Sequence, residues 1–585
     1  MSTTSLLASL RQLFNFLPSR QRRMVGWMLG LQIISAGSEI LSLSAVIPFL
    51  GSLANAPQLM GQAALQRWLQ LFNIETSQQF VLAMAVMFGG TIVLSNALRL
   101  LTIHMQYRFS AAIGNIISAE VYRRTLYQPY SFHTQNNSSQ IIALNTVDAA
   151  NVSNSNGVVP SAFYFVTNSL VVLAITITLV AIDPWVALGA AVVVGGAYGL
   201  IIVKTREALH RNGQKVSELE VQSVKAIQEG LGGIRDVLID GTQPVFESTF
   251  RQANRALLSA QGANNFIAMA PRFLVEPIAM IAIAALAVGM AYDSSQLQRV
   301  LPLLGALALG ANRLLPALQQ CFVSLARMRG YQVALDKVIQ ALYRPIKQDQ
   351  LVLMPQKLKL KKELRFDDVW FSYPSDAPTW VLKGVTFSIE ANTTAAFIGA
   401  TGSGKSTMAD LILGLLQPQR GQITVDGLTL TGEHLRSWQS SIAHVPQQIY
   451  LSDATIAENI AFGVPRDQIE MARVQQAAKL AHIADFIEQR PLAYQEMVGE
   501  RGVRLSGGQR QRIGIARALY KQASVIMFDE ATSALDNNTE KEVMAAIEGL
   551  SHHLTIILIA HRMSTIKNAD VIFECDSGYI AKTNI

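Results

Sequence analysis

Gly399-Ala-Thr401-Gly402-Ser403-Gly404-Lys405-Ser406 puts three glycines, a lysine and three hydroxyls into eight residues. The spacing fits G-x-x-x-x-G-K-[ST], and Thr407 extends it by one more hydroxyl. Glycines let backbone N–H groups turn inward around phosphate oxygens, and a helix starting there adds its positive end. Lys405 would reach the β- and γ-phosphates, and Ser406 would ligate Mg²⁺. Farther on, the apolar run Val525-Ile-Met-Phe ends in Asp529-Glu530. Asp529 suits the Mg²⁺ shell, and Glu530 suits a general base that polarises an attacking water. Between the two lies Leu505-Ser506-Gly507-Gly508-Gln509, which opens the helical stretch Arg510–Tyr520. Two glycines, a serine and a helix N-terminus make a second anion site. Two such sites in one domain suggest nucleotide held between two copies of it.

These residues need a scaffold of strand ends and helix starts. Ala395–Ile398 precedes the phosphate loop and Met408–Leu416 follows it. The short β-rich runs Thr394–Ile398, Val525–Phe528 and Thr555–Ile559 alternate with helical segments, which predicts a largely parallel α/β sheet.

The first 330 or so residues are unlike this. The whole chain is 50% hydrophobic and 15% charged over 585 residues, against about a quarter charged in soluble domains. That composition excludes disorder. The apolar surplus falls into about six stretches near the roughly 20 residues that cross a bilayer. They are Met24–Leu53, Phe80–Ile103, Val158–Ile182, Trp185–Val203, Phe266–Tyr292 and one from Leu301 past Cys321, with Asp183-Pro184 as a tight turn. Arginines and lysines flank one set of ends: Arg11, Arg20, Arg22 and Arg23, then Arg108, Arg123 and Arg124, then Lys204, Arg206 and Arg211. By the positive-inside rule both termini are cytoplasmic. The connections 104–157 and 204–265 are polar but helically periodic, so helices should project well below the membrane. No cleavable signal peptide is evident. Ser5–Leu17 reads as an amphipathic helix, either on the inner leaflet or packed. Tyr343–Glu363, with Lys357, Lys359, Lys361 and Lys362, reads as a solvated tether. The net charge of +7 is explained by inward loops and this linker without nucleic acid. Two cysteines, Cys321 and Cys575, give no disulfide scaffold and no metal spacing.

The order phosphate loop, Gln447, Leu-Ser-Gly-Gly-Gln, Asp529-Glu530, Ser533-Ala-Leu-Asp536, His561 resembles the ATP-binding cassette of ABC transporters over about residues 363–585. The resemblance implies that Tyr373 stacks on adenine, Gln447 senses Mg²⁺ and the membrane domain, and His561 contacts the γ-phosphate as a switch. Spans preceding the cassette, with Gly499-Glu500-Arg501-Gly502 before the signature, resemble exporters of the six-helix half-transporter type. The fold implied is an α-helical membrane domain over 1–342, a linker over 343–362 and an α/β P-loop cassette over 363–585. Tyr130–Gln135 and Gly232–Gly241 would be its coupling helices. One cassette cannot close a sandwich, so a second copy is implied, with ATP and Mg²⁺ as ligands. A regulatory or channel-like member would be expected to carry degenerate cassette motifs, which these are not. A soluble nucleic-acid ATPase of this class would lack the spans.

Ionisable residues inside spans are functional candidates. Arg99, Arg272 and Arg313 either line a cavity for a phosphate-bearing headgroup or pair with Glu39 and Glu276. Ala63–Ile74 either holds a lipid tail on the outer leaflet or caps the fold. The patterns Gly37-Ser-Glu39, Pro271-Arg272…Glu276 and Asn312-Arg313-Leu-x-Pro316 resemble bacterial flippases for lipid-linked oligosaccharides. The implied setting is a bacterial inner membrane. The same engine with another cargo (lipid A, polysaccharide, drug or peptide) is the alternative.

Overall fold

The computed structural model describes residues 5–61, 69–70, 73–182, 184–291, 297–347, 351, 355–373, 379–530, 554–560 and 569–583. The chain divides into two units: Met1–Gln128 with Gln135–Pro345, and Pro129–Thr134 with Ile346–Ile585.

The first unit is helical throughout its apolar segments. Helices span Ser19–Ser44 and Val46–Met60, then Ser77–Leu126, then Val158–Ile182. Pro184–Ala190 runs through a π turn into Gly196–Gly232, followed by Gln243–Ala291 and Leu297–Gly330. Among the described residues, four helices are long and apolar enough to cross a membrane. The others occupy the remaining expected segments; Asp183 lies outside the described residues, as do 62–68 and 71–72 of the outer loop.

Local sequence explains the ends. Thr76 Oγ1 accepts from Gln79 N–H while Gln79 Oε1 accepts from Thr76 N–H, a capping box that starts the 50-residue Ser77–Leu126 helix. Arg123 and Arg124 sit in its last turn, where cations offset the negative helix end. At about 1.5 Å per residue this helix is about 75 Å long, against about 30 Å of hydrocarbon. A helix extending well beyond the hydrocarbon thickness, as periodicity leads one to expect, is therefore present. The helix Gln243–Ala291 differs in carrying Pro271 and Pro277 in its interior.

Inside the unit, Ala36, Leu43, Val171, Ile175 and Leu179 form one core. Outside, Trp27, Leu82, Phe266, Phe273 and Ile281 are each more than 60% exposed, which suits a lipid solvent and not water. Helices approach closely where small residues meet: a Cβ on Gly213 would stand 2.4 Å from Gly330 O. The helix Leu6–Phe16 is packed, with Leu13 and Leu17 buried beside Leu335 and Val338, and Ser9 Oγ donating to Asp336 Oδ1 at 2.6 Å. Leu7 and Phe14 remain exposed.

The second unit holds two sheets. Strands β1 (Glu363–Phe371), β2 (Leu382–Glu390), β4 (Arg420–Val425) and β5 (Leu428–Thr429) form an antiparallel sheet in the order β2-β1-β4-β5. Strands β3 (Thr394–Gly399), β6 (Ile442–Val445), β7 (Val525–Asp529), β8 (Thr555–Ile559), β9 (Val571–Asp576) and β10 (Tyr579–Thr583) form the order β10-β9-β3-β8-β7-β6. This second sheet is parallel except at β10, as the alternating pattern predicts. The aromatic chain Phe366, Phe387, Phe397 and Phe573, with ring centroids 4.5–5.4 Å apart, joins the two sheets.

The solvated tether is corrected at its C-terminal end. Lys357 Nζ donates to Lys521 O and Gln522 O, both at 3.1 Å, and Asp426 accepts from the N–H groups of Lys361, Lys362 and Glu363. The basic run is thus seated on the cassette, because its ammonium and amide donors satisfy carbonyls and a carboxylate there. Of the expected coupling segment Tyr130–Gln135, residues 130–134 group with this unit and Gln135 with the other.

Candidate nucleotide site and membrane arginines

The phosphate loop is the turn from β3 into the helix Lys405–Ile412. Gly399, Gly402 and Gly404 have φ of 146°, 85° and 104°, a region that favours glycine. At Gly399 the demand is also steric, since a Cβ would meet Cys575 O at 2.2 Å. Lys405 is buried and its Nζ donates to Gly399 O and Ala400 O, each at 2.8 Å. Ser403 Oγ is buried with no hydrogen-bond partner. A cradle closed to a Cβ at Gly399 and Gly404, with an unpaired hydroxyl in it, fits an anionic oxygen ligand.

Ser406 and Thr407 lie in the first turn of that helix. Tyr373 Oη and Thr407 Oγ1 share a hydrogen bond of 3.2 Å, and the Tyr373 ring stands edge-on to Phe371 with 43% of the residue exposed. An aromatic face is therefore available beside the loop.

Asp529 ends β7 opposite Ile559 of β8. The next residue, Glu530, has φ 49°, and its N–H donates to Ile559 O at 3.0 Å. A glutamate in the left-handed region costs about 1 kcal/mol or more, and such strain clusters at functional sites. Its Oε2 accepts from Gln447 Nε2 at 2.7 Å, so two residues 83 apart in the chain meet. His561 and Ser533–Asp536 lie outside the described residues.

Asp410 escaped the sequence reading. Burial first, and the Asp529 charge second, push its carboxyl up to about 6. The signal was its position four residues after Ser406, on the same helix face.

Ser506 is the N-cap of the helix Gly507–Tyr520. Its Oγ accepts from Gln509 N–H at 3.3 Å, and Gln509 Oε1 accepts from Ser506 N–H at 2.8 Å. Gly508 completes the first turn. The fifth signature residue is thus a capping partner that holds the serine in place.

In the helical unit, two of the three arginines converge. Arg313 Nη1 donates to both oxygens of Glu39 at 3.1 and 2.9 Å, and Arg99 Nη1 stands 3.6 Å from the same carboxylate. Glu39 is 1% exposed, while both arginine side chains keep an exposed part. Arg272 is held elsewhere, on Glu276 at 3.1 Å one turn along its own helix. The alternative of pairing with Glu39 and Glu276 is therefore realised at all three positions. A buried polar set unseen in the sequence lies in the same unit. Asn151 Nδ2 donates to both Glu220 oxygens at 3.2 Å, and Lys337 bridges Ser217 at 2.7 Å and Asp148 at 3.7 Å. Cys321 Sγ lies 3.5 Å from Ser169 Oγ, and Cys575 is buried under the phosphate loop.

Comparison with known proteins agrees with both halves. Residues 382–533 match the ABC transporter family, and residues 45–300 match the ABC transporter transmembrane region. A Saccharophagus degradans protein named ATP-dependent lipid A-core flippase is 48% identical over 228 residues, 39% of this chain and 38% of that protein. The match thus spans well under half of that relative's length. A protein of the same name from Shewanella denitrificans is 32% identical over 471 residues, covering 79% of this chain and 76% of that one. A solved bacterial Atm1-family ABC exporter with ATP bound superimposes with a TM-score of 0.78 at 26% identity, covering 96% of this chain and 95% of that one. The chain belongs to the ABC transporter family, with the architecture of an exporter-type half-transporter: an ATP-binding cassette and a multi-pass membrane region in one polypeptide.

Proposed function

We propose that two copies of this chain form an ATP-driven flippase for a lipid-linked, pyrophosphate-bearing oligosaccharide in a bacterial inner membrane, with both termini cytoplasmic. The observation that carries the cargo reading is the Arg99–Glu39–Arg313 cluster. Two guanidinium groups share one buried carboxylate, so the cluster is one positive charge in excess among apolar helices. A phosphate group competes with a carboxylate for the same bidentate donors. Arg272, on the proline-bearing helix, adds a third site for the head while the lipid tail stays in the bilayer.

The engine follows from the cassette residues. In the dimer, the Leu505–Gln509 segment of each copy faces the phosphate loop of the other, and Tyr373 supports the base. Mg²⁺, held by Ser406, Gln447 and Asp529, would neutralise phosphate charge. Glu530 orients and polarises the attacking water, and Gln447 fixes the carboxylate through its 2.7 Å hydrogen bond. His561 contacts the γ-phosphate in this reading.

A second cargo, lipid A-core, is favoured by the names of the relatives from Saccharophagus and Shewanella. It is also a phosphorylated glycolipid, so the arginine cluster suits it equally. The test is ATP-dependent flipping in proteoliposomes, comparing a lipid-linked oligosaccharide, lipid A-core and a cationic amphiphilic drug, with Glu530→Gln as control. Flipping of the first supports the proposal, and flipping of lipid A-core alone transfers it to the second cargo. Drug transport alone removes both. Arg99→Ala and Arg313→Ala, made with Glu39→Gln so that no carboxylate is orphaned, should impair flipping and keep basal ATP turnover.

A further inference from the structure

The cassette has a second cationic cavity, at the far ends of the elements that carry its catalytic groups. The signature helix runs from Gly507 to Tyr520, and β7 runs from Val525 to Asp529. The end of that helix and the start of that strand line a cavity of about 370 Å³ with the helix Met471–Leu480 and the seated linker. Ala477, Ala523 and Ile526 give it an apolar, buried floor, and Lys359 and Arg473 stand at its rim. The volume lies at the lower end of the range for small-molecule sites, about 300–1,000 Å³.

The charges around it are unbalanced. Arg473 stacks on the Tyr520 ring at 4.4 Å and its Nη2 donates to Tyr520 O, capping the signature helix, while its Nε is buried with no hydrogen-bond partner. Lys359 has no hydrogen bond or ion pair among the described residues. Lys357 and Lys521 complete the group. Burial first, then Arg473 and Lys359, hold the Lys357 ammonium below its ordinary range. Burial first, then Lys357 and Arg436, bring Lys521 down to about 8. Among the described residues, the one carboxylate within ion-pair distance is Glu470, 3.8 Å from Arg473 and mostly exposed. Helix capping accounts for Lys357, on Lys521 O and Gln522 O, and for Lys521, on Gln439 O and Ile442 O. It does not account for Lys359 or for the free Arg473 Nε.

We propose that this cavity is an anion site separate from the nucleotide site, and that it takes a phosphomonoester with a compact apolar body. The phosphate would sit between Lys359 and Arg473, and the body would cover Ala477 and Ile526. Calorimetric titration of the full-length protein in nanodiscs with phenyl phosphate tests this, with inorganic phosphate and phenol as the two halves of the probe. Expected is saturable binding of one phenyl phosphate per chain, tighter than either half, equal in wild type and in Lys405→Ala. Lys359→Glu should weaken it about tenfold or more, and so should Gln476→Trp, which fills the mouth from an exposed position. Basal ATP turnover stays unchanged in these last two variants and reports their folding. Absence of saturable binding overturns the proposal. So does its loss in Lys405→Ala, which would place it at the phosphate loop, or its retention in either rim variant.

Discussion

The two units bury polar chemistry in different ways. In the cassette the site is made largely by backbone: three glycines at positive φ, a strained glutamate pinned by Ile559 O, and a serine fixed as a helix cap. In the helical unit it is made by side chains from separate helices, as in Glu39 with Arg313 and Asn151 with Glu220. Backbone devices need neighbours in sequence, whereas interhelical pairs need only neighbours in space. The first kind of site tolerates few residue types, and the second is exposed to the cost of an orphaned charge.

The largest effect that tests this contrast lies in the cassette. Glu530→Gln should lower ATP turnover by about 100-fold or more, the usual contribution of a positioned base, and Lys405→Ala should match it. Near-normal turnover in Glu530→Gln would remove the base from this position. In the helical unit, Arg313→Ala in a chain that keeps Glu39 should destabilise by about 3–5 kcal/mol, because a buried carboxylate loses the Nη1 that donates to both its oxygens. Thermal unfolding in detergent should show the loss, and Glu39→Gln added to it should restore most of it. If the single variant melts like wild type, the pair is not what holds these helices.

A pH test comes next in size. Burial is the main cause that raises the Glu220 carboxyl to about 7 from 4.5, with Asp148 adding to it and Asn151 and Lys337 opposing. The folded state then holds a proton that the unfolded state has lost. Stability from this group is present below about pH 4.5, declines as pH rises to about 7, and is flat above. Glu220→Gln should remove that slope from the melting curve, and an unchanged slope would assign it to other groups. The smallest effect separates the two jobs of Ser506. Ser506→Ala should cost about 1 kcal/mol of cassette stability as a lost cap, while Ser506→Asp keeps the cap and still loses ATP turnover through charge repulsion. Equal stability in all three proteins would mean that the cap contributes nothing.

The same contrast explains what was legible. The phosphate loop, Asp529-Glu530 and the signature could be read because each is a contiguous turn at a strand end or a helix start. The parallel sheet followed from alternation. The antiparallel sheet β2-β1-β4-β5 did not, because β5 has only two residues and antiparallel register is a tertiary property. The arginines were visible as charges in apolar stretches. Their convergence was not, since Glu39 and Arg313 are 274 residues apart. Asp148 and Glu220 looked like ordinary acids on polar helices, and only packing shows that both are buried. The seating of Lys357 was hidden because its acceptors are carbonyls, which every residue has.

Pro271 and Pro277 lie six residues apart inside one long helix. Neither has an N–H, so the carbonyls of Ile267 and Phe273 lose their usual donors in the ladder. Bending is cheapest there. The Arg272–Glu276 ion pair spans the same turn, between the two prolines. The helix thus has a joint and a clasp across it, and an anion that draws Arg272 away would free the joint to bend.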